Sequence, residues 1–380
     1  MAPYVAAIMD PTDAVIHRLE CPRLLTTRYA HLKADHKNHP DAGGIRYFFA
    51  LDLGNSFHVI PRLLGSIVET IMFLGPSVCA LSIVVGKSND ATLNVLEALR
   101  PELDDLGLRY FLYSSRIDPG SGDRTVQMAA LRNLALAPLE EPALGANANT
   151  TVVFLGDVAI CMDDILELVH QRIFLGADMT CALDWEYLGQ DPTFKGIRVS
   201  RTMKGETFFQ IPPDGSWDWA WNLFWNDPYS REKLTNKLPF QVYSCWNGAV
   251  AFRAAPILRF SSVEEDGHGG NDVGKTQAEK ISFRSSREGE CSNEEPALFC
   301  KDLWNSGHGK IAVVPSINLE YSDDAARRIK DLEGYTSKWI NKWGDDALRI
   351  DWEDEPPAKV KCIAQDWKNQ DWRPWNETMV

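Results

Sequence analysis

The run Thr151-Thr-Val-Val-Phe-Leu-Gly-Asp-Val-Ala-Ile-Cys-Met-Asp-Asp164 carries the residues of this chain best placed to do chemistry. Residues 152–155 are apolar throughout, as a strand buried on both faces should be. The strand ends at once in Gly156-Asp157, and a second acidic pair, Asp163-Asp164, opens a helical pattern with Ile165, Leu166 and Val169. Open α/β sheets bind ligands at the carboxyl ends of their strands. A carboxylate there can hold a divalent cation against a phosphorylated ligand. The same spacing also fits a plain strand-end turn in which Asp163 or Asp164 caps the next helix.

Positioning such a carboxylate takes an alternation of strands and helices, and the chain reads that way. Residues 1–44 are polar and irregular; His36-x-x-His39 near Asp35 and Asp41 has metal-ligand types but reads as a solvated loop. A strand over 46–53 is followed by a helix from about Val59, with Pro61 in its first turn. Then come a strand over 80–85, the loop Gly86-Lys-Ser-Asn-Asp-Ala-Thr92, a helix over 93–106 and a strand over 109–113. A helix over 127–139 carries Arg132-Asn133 and halts at Pro138, and a strand over 178–183 ends at Asp184-Trp185. Strands alternating with helices imply right-handed crossovers and a mainly parallel sheet. Beyond Trp185 the alternation weakens; the polar, Gly/Ser-rich stretch 264–295 reads as a mobile loop and 351–380 as a Trp-rich tail on the body.

At 380 residues the chain has room for one extended α/β domain or two smaller ones. Its net charge of −14 argues against a nucleic-acid partner, which needs a basic face. A diphosphate ligand stays compatible, because a metal ion and a few local Arg or Lys reverse the sign inside one cleft. The eight cysteines contain no C-x-x-C pair, which argues against structural zinc; several sit in apolar stretches as small hydrophobes, and their pairing is open. Residues 67–85 approach membrane-span length but contain Glu69 and Gly75-Pro76, so they read as a helix and a buried strand. The opening residues lack the basic start and apolar core of a signal peptide. As written the chain reads as soluble, without a membrane segment: cytoplasmic, or Golgi-luminal if an N-terminal anchor has been removed.

Five segments in order resemble the fungal α-1,3-mannosyltransferases of the cryptococcal mannosyltransferase and capsule-associated protein group, glycosyltransferase family 69. They are Tyr47-Phe-Phe-Ala-Leu-Asp-Leu53; Ser82-Ile83 with Ser88-x-Asp90-x-Thr92; Leu131-Arg-Asn-x-Ala-Leu-x-Pro-Leu139; Phe154-Leu-x-Asp157-Val with Ala177-Asp-Met-x-Cys-x-Leu-Asp184; and Ser244-Cys-Trp-Asn-Gly-x-Val-Ala-Phe252 with Cys300-Lys-Asp-Leu-Trp304. The resemblance implies a glycosyltransferase-A type catalytic domain over 45–350, with a nucleotide-binding half near 45–185 and an acceptor half near 186–350. It also implies retaining transfer of mannose from GDP-mannose, or another nucleotide sugar, to a glycan or small-molecule hydroxyl acceptor, with Mn2+ or Mg2+ as cofactor. A non-catalytic carbohydrate- or nucleotide-sugar-binding relative is the alternative.

The chemistry explains the residue types. Breaking a sugar–phosphate bond builds positive charge on the sugar and negative charge on the diphosphate, and a carboxylate-held cation stabilises the latter. The resemblance places Asp157 on the metal and Asp52, Ser88, Asp90, Arg132 and Asn133 around the donor; arginine suits phosphate. Asp184 would contact donor-sugar or acceptor hydroxyls, or cap a helix. Trp246, Asn247 and Gly248 would meet the sugar, with a buried strand Trp as the plain alternative. Trp217, Trp219, Trp221 and Trp225 divide between sugar packing and lobe core. Glu295 matches the acidic residue of the family's Ser-Glu-Cys motif and would stabilise the cationic sugar or orient the acceptor, or else be a solvated loop acid. The chain departs from the family at Val85, where an acid is usual, and over Phe194-Lys-Gly-Ile-Arg-Val-Ser-Arg201, where an acid and two aromatics are lost.

Overall fold

β1 (Tyr47–Leu53) shows why the strands read as unbroken apolar runs. Phe48 and Ala50 join a cluster with Ala129 and Leu131 of the helix Arg124–Leu136. Tyr47, Phe49 and Leu51 join Leu63 and Ile67 of the helix Ile60–Leu74, and Ile165 and Leu166 of the helix Met162–Phe174. Both faces of the strand are covered, so neither can be polar. The computed structural model describes residues 1–34, 44–258, 280–363 and 367–379. His36, His39, Asp35 and Asp41, and the first part of the 264–295 stretch, lie outside the described residues.

With β2 (Cys79–Val85), β3 (Arg109–Ser114), β4 (Thr151–Leu155), β5 (Met179–Leu188), β6 (Asp191–Phe194), β7 (Phe240–Gln241), β8 (Ala249–Arg253) and β9 (Ile311–Leu319), β1 builds one sheet. The order is β3-β2-β1-β4-β8-β5-β9-β7, with β6 folded back on β5. The pairs β1–β2, β1–β4, β2–β3 and β5–β9 are parallel, while β8 and β7 run against their neighbours. This is the expected α/β architecture: a mainly parallel sheet with helices on both faces.

Several local expectations are corrected. The helix carrying Arg132 starts at Arg124 rather than 127, because the Asp123 carboxylate accepts from the Thr125 and Val126 N–H groups; it ends at Leu136, ahead of Pro138. β5 does not stop at Asp184 but runs to Leu188, because residues 185–188 pair with β6. The first 44 residues are not irregular throughout: the helix Ala2–Met9 buries Ala7 and Ile8, and Tyr29 donates to Glu167 at 2.9 Å. The described part of the 264–295 stretch is not a free loop. Phe283 is core, and Arg284 bridges Glu290 and Asp302 at 2.7 Å each.

Six of the eight cysteines pair, as Cys21–Cys161, Cys181–Cys245 and Cys291–Cys362, leaving Cys79 and Cys300 as buried thiols. In the tail, β10 (Lys359–Ile363) and β11 (Gln370–Pro374) form an antiparallel pair. The pair is held to the body by the Cys291–Cys362 bond and by the Lys361 N–H donating to Gly205 O at 2.8 Å. Among the described residues, no helix is long and apolar enough to cross a membrane.

Candidate active site

Because β8 runs against β4, with Ala249 opposite Leu155, its first residues lie at the carboxyl end of the parallel strands. Trp246-Asn247-Gly248 thereby meets Gly156-Asp157, and the Gly156 N–H donates to Gly248 O at 2.8 Å. Gly248 has φ +77°, and a Cβ there would press to 3.0 Å from Val158, so the turn needs glycine. Beside this junction lies a cavity of about 510 Å³. Of the residues singled out in the sequence, Asp52, Arg132, Asp157, Asp184, Trp246, Asn247 and Gly248 line it.

Asp184 is buried and asymmetric. Tyr321 OH donates to its Oδ2 at 2.6 Å, while its Oδ1 has no hydrogen-bond partner. Burial pushes this carboxyl up to about 6, against the pull of the Tyr321 hydrogen bond and of Lys195. Lys195 stands 3.4 Å over the Tyr321 ring, so phenol, carboxylate and ammonium form one unit in the cavity wall.

Arg132 anchors a second unit. Its Nη1 lies 2.5 Å from Glu295 Oε1 and its Nε 3.5 Å from Asp52 Oδ2, with the N–H directions off-axis, so these are ion pairs rather than aligned hydrogen bonds. The guanidinium also lies 5.0 Å from the Trp246 ring. Burial pushes Asp52 up to about 6; Arg132 pulls it back, while Glu295 and Asp157 push it further. Burial likewise raises Glu295, again against Arg132. Glu295 is therefore not a solvated loop acid. It is the first residue of the helix Glu295–Asn305, set behind Arg132, and its neighbours Glu294 and Pro296 face the cavity.

The remaining candidates are placed differently. Both ends of the Asn133 amide are engaged by Phe283: Nδ2 donates to its O at 2.8 Å and Oδ1 accepts from its N–H at 3.0 Å. Asn133 thus fastens the 280s segment and does not line this cavity. Ser88 and Asp90 edge a separate hollow of about 390 Å³ beyond β2 and β3, together with Val85. Asp90 accepts from Ser88 Oγ at 2.9 Å and from the N–H groups of Thr92 and Phe57 at 3.0 Å, tying that loop to the end of β1. Asn247 lines the cavity, yet its amide donates to Ala182 O and accepts from Ser200 Oγ, both at 2.9 Å. Trp246 packs on Phe154 and Phe283, with ring centroids 5.4 and 5.2 Å apart, and exposes little surface. Of the tryptophan cluster, Trp217 faces the cavity, while Trp219 and Trp221 point outward, 41% and 77% exposed.

Sequence reasoning missed Lys195, Arg198, Tyr321 and Trp367 as cavity residues. The first two lie in the stretch where the chain departs from the family pattern. Gly196 between them is forced, since a Cβ would overlap Asn247 Oδ1 and the Phe194 ring. Tyr321 follows β9, whose apolar run was a signal left unread.

The cavity offers a divalent cation a location. Asp157 is half-buried at the end of β4 and lines the cavity, where its carboxylate oxygens would meet such an ion; Asp52, ion-paired with Arg132, and Asp184 line the same cavity but form no metal-holding cluster with it among the described residues. An oxygen-only set suits Mg2+ or Mn2+, which complete their shells with substrate phosphates and water. The ready-made trio Cys161, Asp163 and Asp164 does not compete. Cys161 is in a disulfide, and Asp164 binds Lys330 at 2.7 Å, Thr336 Oγ1 at 2.6 Å and the Cys161 N–H at 2.9 Å.

The chain is similar in sequence to known proteins along most of its length. A family model described as cryptococcal mannosyltransferase 1 matches residues 46–302. The alpha-1,3-mannosyltransferase CMT1 of Cryptococcus neoformans var. neoformans serotype D is 34% identical over 345 residues, covering 84% of this chain and 70% of that protein. Among solved structures, S. aureus TarS 1-349 gives a TM-score of 0.38 at 14% identity, covering 76% of this chain; the chain spans 65% of that fragment's length. The mannosyltransferase PcManGT from Pyrobaculum calidifontis, in complex with GDP-Man and Mn2+, gives 0.38 at 12% identity, covering 78% of this chain and 68% of that one.

Proposed function

The chain belongs to the cryptococcal mannosyltransferase family and is a glycosyltransferase, and from that premise we propose that it is metal-dependent and retaining, moving mannose from GDP-mannose to a glycan hydroxyl in α-1,3 linkage. The observation that carries the reading is the identity with a named α-1,3-mannosyltransferase along 84% of the chain. The cavity at the strand ends is where that chemistry would sit.

Transfer breaks the bond between the mannose anomeric carbon and the terminal phosphate oxygen, and GDP leaves with the electron pair. A bond forms on the same face between that carbon and the acceptor oxygen, whose proton passes to the departing phosphate oxygen. A bound Mn2+ or Mg2+ supplies neutralising charge at the diphosphate, and Asp157 would hold it. The unpartnered Asp184 Oδ1 accepts a sugar hydroxyl and sets negative charge beside the developing cation, with Tyr321 fixing its orientation. Arg132 faces the donor phosphates while Glu295 and Asp52 hold it in place. The Ser88–Asp90 loop edges the hollow on the nucleotide side and takes the base or ribose end.

Three disulfides indicate folding in an oxidising compartment, which favours the luminal over the cytoplasmic reading. The reading is tested by incubating the protein with GDP-mannose and α-mannobiose, with Mn2+ or with chelator, and analysing products by mass and anomeric NMR. One added hexose in α configuration, dependent on metal, is expected. Product from another nucleotide sugar and none from GDP-mannose would overturn the donor assignment.

A further inference from the structure

We propose that Trp217 and Trp367 form a binding corner for a hexose of the glycan acceptor, and that the C-terminal tail is thereby part of the site. The proposal rests on the transferase reading above and adds the acceptor's seat to it. Both indoles line the cavity that holds Asp157 and Asp184. Their rings cross at 80° with centroids 5.4 Å apart, and both side chains are half-buried. Two crossed aromatic surfaces make an apolar corner that suits the C–H face of a pyranose.

The corner is packed against its surroundings. Trp217 packs edge-on against buried Phe209, with centroids 5.5 Å apart. Arg198 lies 3.8 Å over the Trp367 ring. Trp367 holds φ +62°, a left-handed conformation costly for a bulky residue, and Gln370 Nε2 donates to its O at 2.9 Å. The tail that delivers it is docked by Arg201 Nε donating to Lys361 O at 2.8 Å and by the Cys291–Cys362 bond. It lies beyond residues 46–302, the span matched by the family model.

Topology assigns this corner to the acceptor rather than to the nucleobase. Trp217 follows β6, and the tail docks on residues 201–205. Both therefore attach on the β5–β9 side of β4, whereas the Ser88–Asp90 hollow lies on the β1–β3 side. Around the indoles, Lys195, Arg198 and Glu186 supply the charged groups that hydroxyls would meet.

The test uses α-mannobiose as the acceptor probe on wild type, Trp217→Ala, Trp367→Ala and Trp367→Phe, each checked for folding by thermal unfolding. The first readout is α-mannobiose binding by ligand-observed NMR in the presence of GDP and Mn2+; the others are GDP affinity and acceptor-free GDP-mannose hydrolysis. The alanine variants should weaken α-mannobiose binding about tenfold, the phenylalanine variant should recover most of it, and GDP affinity and hydrolysis should hold. Unchanged α-mannobiose affinity in both alanine variants, or no binding by wild type, overturns the proposal. So does a loss of GDP affinity in its place, which would put a nucleobase in the corner. Wild type that binds α-mannobiose through these tryptophans yet neither hydrolyses nor transfers from GDP-mannose would sustain the corner and refute the donor assignment.

Discussion

Replacing Asp184 by Asn should make the protein more stable at neutral pH while disabling the site. Burial moves this carboxyl from its ordinary 3.8 up to about 6. At about 1.4 kcal/mol per unit, holding it ionised in the fold costs about 3 kcal/mol. The sign follows from the direction of the shift. The folded protein binds the proton more tightly than the unfolded chain, so the penalty is absent below pH 3.8, grows as pH rises, and is complete above about 6. Asparagine keeps an acceptor for Tyr321 OH and replaces one partnerless buried oxygen by one partnerless amide nitrogen, so the expected gain is about 2 kcal/mol rather than the full amount. Lys195 and Tyr321 are the groups facing the position, and neither gains a partner in the variant. Denaturant unfolding of both proteins at a series of pH values is the assay. The variant should lead by about 2 kcal/mol at pH 7.5, with the lead shrinking below about 1 kcal/mol near pH 4. A lead that does not change with pH, or a variant less stable throughout, would falsify the burial argument.

Other expectations follow from the same geometry. Arg132→Ala leaves Glu295 and Asp52 buried without their cation and should cost about 3 kcal/mol in unfolding free energy; a cost below about 1 kcal/mol would mean that the trio is solvated. Glu295→Gln should retain GDP affinity within about threefold and lower turnover, because it loosens Arg132 rather than removing it; unchanged turnover at saturating donor and acceptor would return Glu295 to a structural role. Tyr321→Phe should lower turnover with little change in GDP affinity, since it frees Asp184 Oδ2 without touching the nucleotide side; wild-type turnover would show that Asp184 needs no positioning.

The strand-end logic made Gly156-Asp157 legible, because an apolar run ending abruptly in Gly-Asp constrains where the carboxylate must sit. Trp246-Asn247-Gly248 stood out through the family motif and the apolar stretch after it, but its convergence on Asp157 depends on β8 being antiparallel, which no local pattern encodes. The same holds for Arg132, whose motif stands out while its partners Glu295 and Asp52 come from elements 163 and 80 residues away. Asp184 looked like a strand end because the apolar run stops there; cross-strand pairing with β6 carries the strand onward. Cysteine pairing was open because a disulfide needs Cα atoms close together, here 5.6–6.2 Å, and partners lie 64 to 140 residues apart. Lys195 and Trp367 act through ring contacts between distant segments, for which sequence spacing carries no signal.

Metal-dependent turnover of GDP-mannose by wild type and by Asp157→Asn is the most direct test of the central claim. GDP release and mannosyl transfer to α-mannobiose should rise with Mn2+ in wild type and stop with chelator. In Asp157→Asn, both should fall by about a hundredfold or more, with the fold retained by thermal unfolding. Transfer that persists in chelator, or a variant with the wild-type Mn2+ dependence, would contradict the account.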